Sequence, residues 1–212
     1  MNELPNKIGQ ETSRVIDITG PENTLILLAV PGEEVTACGG LIAEACARGR
    51  PPFVVILGDG ATDDPAKLVP RRQLASRTAC QRLGLPDGRL LFVGLRQGAF
   101  PTTRTPLFNA LQAAMAEVSW RRDCNVILAP FAAREVGDAA DAVAAWQLAC
   151  ALAAEIELPL LASIGMAALP CATPKDFWRL DARQWNERKA EAGLAHEVHI
   201  QSPGYEAYAR VG

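Results

Sequence analysis

Five short apolar runs, separated by stretches with helical periodicity, limit this chain to very few folds. Thr24 to Val30 (TLILLAV), Phe53 to Leu57 (FVVIL), Leu90 to Val93, Asn125 to Ala129 (NVILA) and Leu158 to Ile164 read as strands. Their apolar residues run on without alternating, so both faces of the sheet must be covered. Helices are expected over Glu34 to Arg48, Val69 to Leu83, Pro106 to Trp120 and Asp138 to Ile156. Gly49 and Gly84 stand just past two of these helices, where a left-handed cap is wanted. Pro70 and Pro106 stand in first turns, where a missing N–H is tolerated. The last helix is Ala-rich with few polar positions, which predicts deep burial. Strand alternating with helix gives an α/β fold, a doubly wound, mostly parallel sheet with helices on both faces, Rossmann-like in outline. Ligands in such folds bind beyond the C-terminal ends of the strands. The loops after Val30, Leu57, Val93 and Ala129 are therefore the places to look for a site.

The 212 residues, 49% hydrophobic and 21% charged, suit one domain spanning the whole chain. Residues 1–20 read as an N-terminal extension and 177–212 as a C-terminal tail packing on that domain. The net charge of -3 and the lack of a basic patch argue against nucleic acid as a partner. The pairs Arg71-Arg72 and Arg121-Arg122 are isolated and read as solvated helix ends. Cys38, Cys46, Cys80, Cys124, Cys150 and Cys171 form no Cys-x-x-Cys pair and read as small buried hydrophobes. Scattered thiols beside a good core point to a cytoplasmic protein. Met1 to Gly20 lacks the charge-then-apolar order of a signal peptide. The greasiest stretch, Ala142 to Ala154, is broken by Gln147 and is too short to span a bilayer. A homo-oligomer is left open.

Four of the strand-end loops and the tail carry recognisable residues. After the first strand the chain reads Ala29-Val30-Pro31-Gly32-Glu33-Glu34, then three residues, then Cys38-Gly39-Gly40. The second strand ends in Ile56 to Gly60 (ILGDG). Arg71, Ala75, Ala79 and Leu83-Gly84 recur every four residues. Gly94-Leu95-Arg96-Gln97-Gly98 follows the third strand, and Gly137 to Ala145 (GDAADAVAA) opens the long helix. Lys189, Ala192 and His196 stand near the end.

In this order, these segments resemble the PIG-L/LmbE-like de-N-acetylases. That family has Ala-His-Pro-Asp-Asp-Glu, three residues and a small residue before Gly-Gly. It continues with Thr-Asp-Gly, Arg-x3-Glu-x3-Ala-x3-Leu-Gly, Gly-Leu-Pro-Asp-Gly, Gly-Asp-His-Pro-Asp-His-Arg-Ala-Ala and Lys-x2-Ala-x3-His. The resemblance covers roughly Leu25 to His199. It implies a zinc hydrolase fold in which the metal slots are Val30, Glu33 and Ala142, the general-base slot is Gly32, and a further histidine slot is Ala139. Valine and alanine carry no donor atoms, whereas catalytic zinc normally takes three protein ligands and an open position. Without the metal, water keeps its ordinary acidity, and without a group at position 32 it lacks a base. No catalytic residue of the family route is therefore expected here, Asp141 being the retained acid of the second motif, and no cofactor is expected.

The plainer readings of the same residues stand beside this. Glu33 and Glu34 suit the first turn of a helix by the helix dipole. Asp138 and Asp141 have the spacing of an N-cap and an N3 acid. Alternatively, Glu33, Asp138 and Asp141 form a carboxylate site for a divalent cation. Asp59 suits the Asp-Gly turn that contains it. As substrate-binding candidates the resemblance offers Arg71, Asp59, Gln97 and Asp138. His196 and His199 read as surface residues, with Lys189 and His196 as structural parts of the tail. Trp120 and Trp146 read as core or helix-end residues, Trp178 and Trp185 as lining of a pocket mouth or an interface. The functional expectation is a pseudoenzyme binding an amino-sugar-containing small molecule or a partner protein. The alternative is an N-deacetylase of N-acetylated sugar conjugates with an atypical carboxylate metal site.

Overall fold

The computed structural model describes residues 23–60, 65–132, 139–164, 177–197 and 205–211. Strands β1 (Thr24–Leu28), β2 (Phe53–Gly58), β3 (Leu90–Leu95), β4 (Val126–Pro130), β5 (Leu160–Ile164), β6 (Phe177–Asp181) and β7 (Tyr205–Val211) form one sheet in the order β3-β2-β1-β4-β5-β7-β6. The pairs from β3 to β5 are parallel, and β7 is antiparallel to both β5 and β6. The five predicted strands are all present, each within about two residues of its expected ends. The tail contributes two further strands that hydropathy did not reveal.

Continuity of the apolar runs has the expected consequence. Alternate residues of each central strand feed opposite cores. Ile26, Leu28, Val54, Ile56 and Leu128 face one side, Leu25, Leu27, Val55, Leu57 and Ile127 the other. The first face is covered by α1 (Glu33–Thr36), α2 (Gly39–Ala47), α3 (Pro65–Arg82) and α6 (Asn186–Ala195). The second is covered by α4 (Pro106–Arg121) and α5 (Ala140–Glu155). Each fully buried Leu or Ile is worth roughly 1.5–3 kcal/mol, so β1 and β2, buried throughout, anchor the molecule. No described helix is long and apolar enough to cross a membrane.

Three helix boundaries depart from the sequence expectation. The helix predicted over Glu34 to Arg48 is two helices, α1 and α2, broken at Ala37 and Cys38. The break is held by Ser163 Oγ, which donates to the Ala37 carbonyl at 2.6 Å. It frees the first N–H groups of α2, and those of Gly40 and Leu41 donate to Glu206 at 2.7 and 2.9 Å. Helix α3 starts at Pro65, four residues early, so Pro70 lies inside it rather than in its first turn. The α5 helix starts at Ala140 with Ala139 as its N-cap and no side-chain cap bond. Gly49 and Gly84 close α2 and α3 as predicted. Their φ angles are +73° and +92°, and in each case two backbone bonds reach back into the last turn, a Schellman arrangement.

Candidate functional site

The chain after β1 turns sharply at the C-terminal edge of the sheet, and the first motif lies in that turn. Gly32 has φ +105° and would leave a Cβ with nothing within 4 Å. Backbone conformation, not lack of room, is what favours glycine there. Glu33 folds back on the strand end, and its Oε2 accepts from the N–H groups of Ala29 at 2.7 Å and Val30 at 3.3 Å. Burial pushes its carboxyl up to about 7, against the opposing pull of those two bonds.

Glu33 and Ala142 line the same small cleft, with Ala129, Pro130 and Trp146, around a space of about 10 Å³, one water at most. Val30 and Ala142 both pack against the apolar cluster under α4 and α5. Of the slots aligned from sequence, Glu33 and Ala142 thus share one cleft, and Val30 lies in the apolar cluster that also holds Ala142. Ala139 is exposed at the start of α5, while Asp138 and His199 lie outside the described residues.

Asp59, offered as a substrate-binding residue, and Asp141, the retained acid of the second motif, both hold the turn after β3. Asp59 is buried and its Oδ1 accepts from the Gln97 N–H at 3.1 Å. Asp141, also buried, accepts from the Gly98 N–H through Oδ2 at 2.6 Å. Asp141 therefore reaches across to a neighbouring loop and does not act as an N3 capping acid of its own helix. The turn they grip runs from Arg96 to Ala99 with Gly98 at φ +77°, and Gln97 is exposed.

On the opposite side of the β1 turn lies a larger cleft of about 370 Å³, between α3 and the end of α6. Pro31, Gly32, Arg71, Arg72, His196 and Glu197 are among its walls. Arg71 pairs with Glu197, both well exposed. His196 is not a surface residue. Its side chain is 10% exposed, and Nε2 lies 2.6 Å from Oε1 of Glu34, which is fully buried. The other Glu34 oxygen accepts from the Gly32 N–H at 2.7 Å. Glu34 thus does more than answer the dipole of a short helix; it ties the β1 turn to α6. The pairing escaped sequence reading because 162 residues separate its members. Arg72 was also missed. Its signal was the Arg71-Arg72 pair itself, which reads equally as a solvated helix end.

No family model matches the sequence, and comparison with curated proteins finds no match. Solved structures do match. The N,N'-diacetylchitobiose deacetylase of Pyrococcus horikoshii is similar over 85% of this chain and 72% of its own, with TM-score 0.66 and 16% identity. The deacetylase of the A40926 pseudoaglycone is similar over 90% and 97%, with TM-score 0.63 and 14% identity. The fold is that of the PIG-L/LmbE-like de-N-acetylases. The LmbE-like fold is not confined to deacetylation, however. The 4-carboxy-2-hydroxymuconate hydratase of Pseudomonas putida matches over 90% and 96%, with TM-score 0.67 and 17% identity. An LmbE-like sheet therefore fixes where a site lies, and the side chains must say what happens there.

Those side chains do not fit the family's zinc. Val30 and Ala142 supply no lone pair, and the Oε2 of Glu33 is engaged by two backbone donors. No group of three His, Cys, Asp or Glu side chains that could hold a metal ion occurs among the described residues. The thiols offer no substitute. Burial pushes those of Cys38 and Cys80 far up and those of Cys46 and Cys124 up to about 11, which suits packing rather than ligation.

Proposed function

We propose that this chain is a binding protein carried on an LmbE-like fold, without zinc-dependent de-N-acetylation. One observation carries the reading. At the edge where relatives work, the aligned slots hold Val30, Gly32 and Ala142, and the surviving acids Glu33 and Asp141 are hydrogen-bonded to backbone N–H groups. A general base contributes about 10²- to 10⁴-fold, and polarisation by the metal several kcal/mol more. Loss of both leaves no route to amide hydrolysis. The cleft beside Gly32 favours a small-molecule ligand, with an amino-sugar conjugate as the first class to test, over a partner protein. The free thiols among the described cysteines support a cytoplasmic location for this role.

Protein purified without chelator or metal-binding tag is expected to carry well under one zinc per chain and to release no acetate from N-acetylglucosamine conjugates. Stoichiometric zinc would overturn the reading. The competing proposal, an N-deacetylase with a divalent cation at Glu33, Asp138 and Asp141, requires Asp141 to release Gly98. It predicts metal-dependent acetate release that disappears in Asp141→Ala.

A further inference from the structure

We propose that the cleft between α3 and the end of α6 binds a singly charged carboxylate on a small polar ligand, gripped by the guanidinium of Arg72. The inference deepens the binding-protein reading and rests on it for the ligand's size and class.

Among the described residues, the polar side chains around the cleft are paired with one another, with one exception. Arg71 faces Glu197, and His196 faces the buried Glu34. Arg72 has no carboxylate partner among the described residues, although it is half-buried and lines the cleft. Its position is built by the backbone. Gly60, just past the end of β2, has φ +64°, and a Cβ there would lie 2.8 Å from Arg72 Nη1 and 3.0 Å from Pro31 Cδ. A bare, left-handed residue lets the guanidinium lie against the strand end next to the β1 turn.

A guanidinium offers five donors in a fixed fork, which suits two parallel bonds to a carboxylate. One guanidinium without a carboxylate partner among the described residues favours a singly charged group. A phosphate dianion would bring its second charge into a cleft that Glu197 also walls, at a Coulombic cost. The remaining walls include Leu68, Ala75 and Ala195, enough apolar surface to seat the body of a compact ligand, and about 370 Å³ lies within the range of small-molecule sites.

Calorimetric titration with three probes tests this: glucuronate, glucose as its uncharged counterpart, and glucose 6-phosphate as the dianion. Saturable binding of glucuronate is expected, with glucose at least about tenfold weaker, the size of one charge-assisted contact, and glucose 6-phosphate weaker than glucuronate. Arg72→Met should lose the preference for glucuronate over glucose, and Arg72→Lys should keep part of it. Three results would overturn the proposal: equal binding of glucose and glucuronate, unchanged binding in folded Arg72→Met, or no heat with any probe up to about 10 mM. Strongest binding of glucose 6-phosphate would refute the charge count. Should Arg72→Met fail to fold, the comparison of probes on the unaltered protein still decides. Zinc content and acetate release bear only on the non-catalytic reading, so its failure is visible separately from failure at Arg72.

Discussion

Glu33 shows how a buried carboxyl becomes a structural liability. Burial holds its carboxyl up at about 7, while the unfolded chain returns it to an ordinary value near 4.5. Between those values the native state binds more protons than the unfolded state, so this group lowers stability as pH rises through the window. Glu33→Gln keeps an acceptor for the Ala29 N–H and removes the charge. It is expected to melt higher than the parent at about pH 8, by an amount of order 1–3 kcal/mol, and to lose that advantage at about pH 4. A difference that stays constant with pH would show that the carboxyl is not held neutral. Glu34 differs because both of its oxygens have partners, Oε1 beside His196 Nε2 and Oε2 accepting from the Gly32 N–H. Removing His196 leaves Oε1 of the fully buried Glu34 without its partner, and an unsatisfied buried polar group costs about 1–3 kcal/mol, more when charged. His196→Ala should therefore lower stability by at least that order in urea titration. The double variant Glu34→Gln with His196→Gln should recover much of the loss, and additive effects would deny the pairing.

At the scale of elements, the tail carries the least expected structure. Glu206 on β7 is buried and accepts from Gly40 N, Leu41 N, Lys189 Nζ at 2.6 Å and Tyr208 Oη at 2.6 Å. One carboxylate thus caps α2 and ties both α2 and, through Lys189, α6 to β7. Gly40 is bare for the same reason: a Cβ would lie 2.6 Å from the Ala182 Cβ and 2.9 Å from Glu206. Gly40→Ala should cost about 1–3 kcal/mol by overpacking, read as a lowered urea midpoint with unchanged slope; no effect would mean that the α2–β7 contact yields easily. Glu206 also explains what sequence reading found and missed. The strands β1 to β5 are legible because continuous Leu, Ile and Val have no other stable use. The β7 segment, YEAYARV, carries its buried charge at Glu206 and small alanines elsewhere, so hydropathy alone cannot reveal it. The break between α1 and α2 was hidden for a similar reason. The groups that hold it lie 126 and 166 residues away, the Ser163 hydroxyl on the Ala37 carbonyl and the Glu206 carboxylate that takes up the Gly40 N–H. Within the site, the loop after β1 was legible as a segment, but Glu33 folding back on the β1 end was not, and the links from Asp141 to Gly98 and from Glu34 to His196 depend on the closed sheet.

For the whole molecule, the test of the alignment is whether a metal site can be built at the aligned slots. The parallel order β2-β1-β4 carries the β1 turn and the start of α5 to one edge, where Glu33 and Ala142 share a cleft and Val30 packs on the same cluster as Ala142. Val30→His and Ala142→His, with Glu33→Asp, would place three donor side chains around that cleft. Exchanging apolar groups for imidazoles should destabilise the metal-free protein by about 1–3 kcal/mol. Zinc should more than restore it, because metal binding free energy adds to folding. The expected outcome is one zinc per chain in the triple variant, with a melting temperature that rises on zinc addition, against well under one in the parent. Hydrolysis should not return with the metal. Position 32 still lacks a base, and its φ of +105° imposes strain on any side chain placed there. Gly32→Asp must therefore reshape the β1 turn before it can serve, and acetate release is expected to lag far behind zinc binding even in the four-fold variant. A triple variant that folds and binds no zinc would refute the alignment of the β1 turn with the family motif.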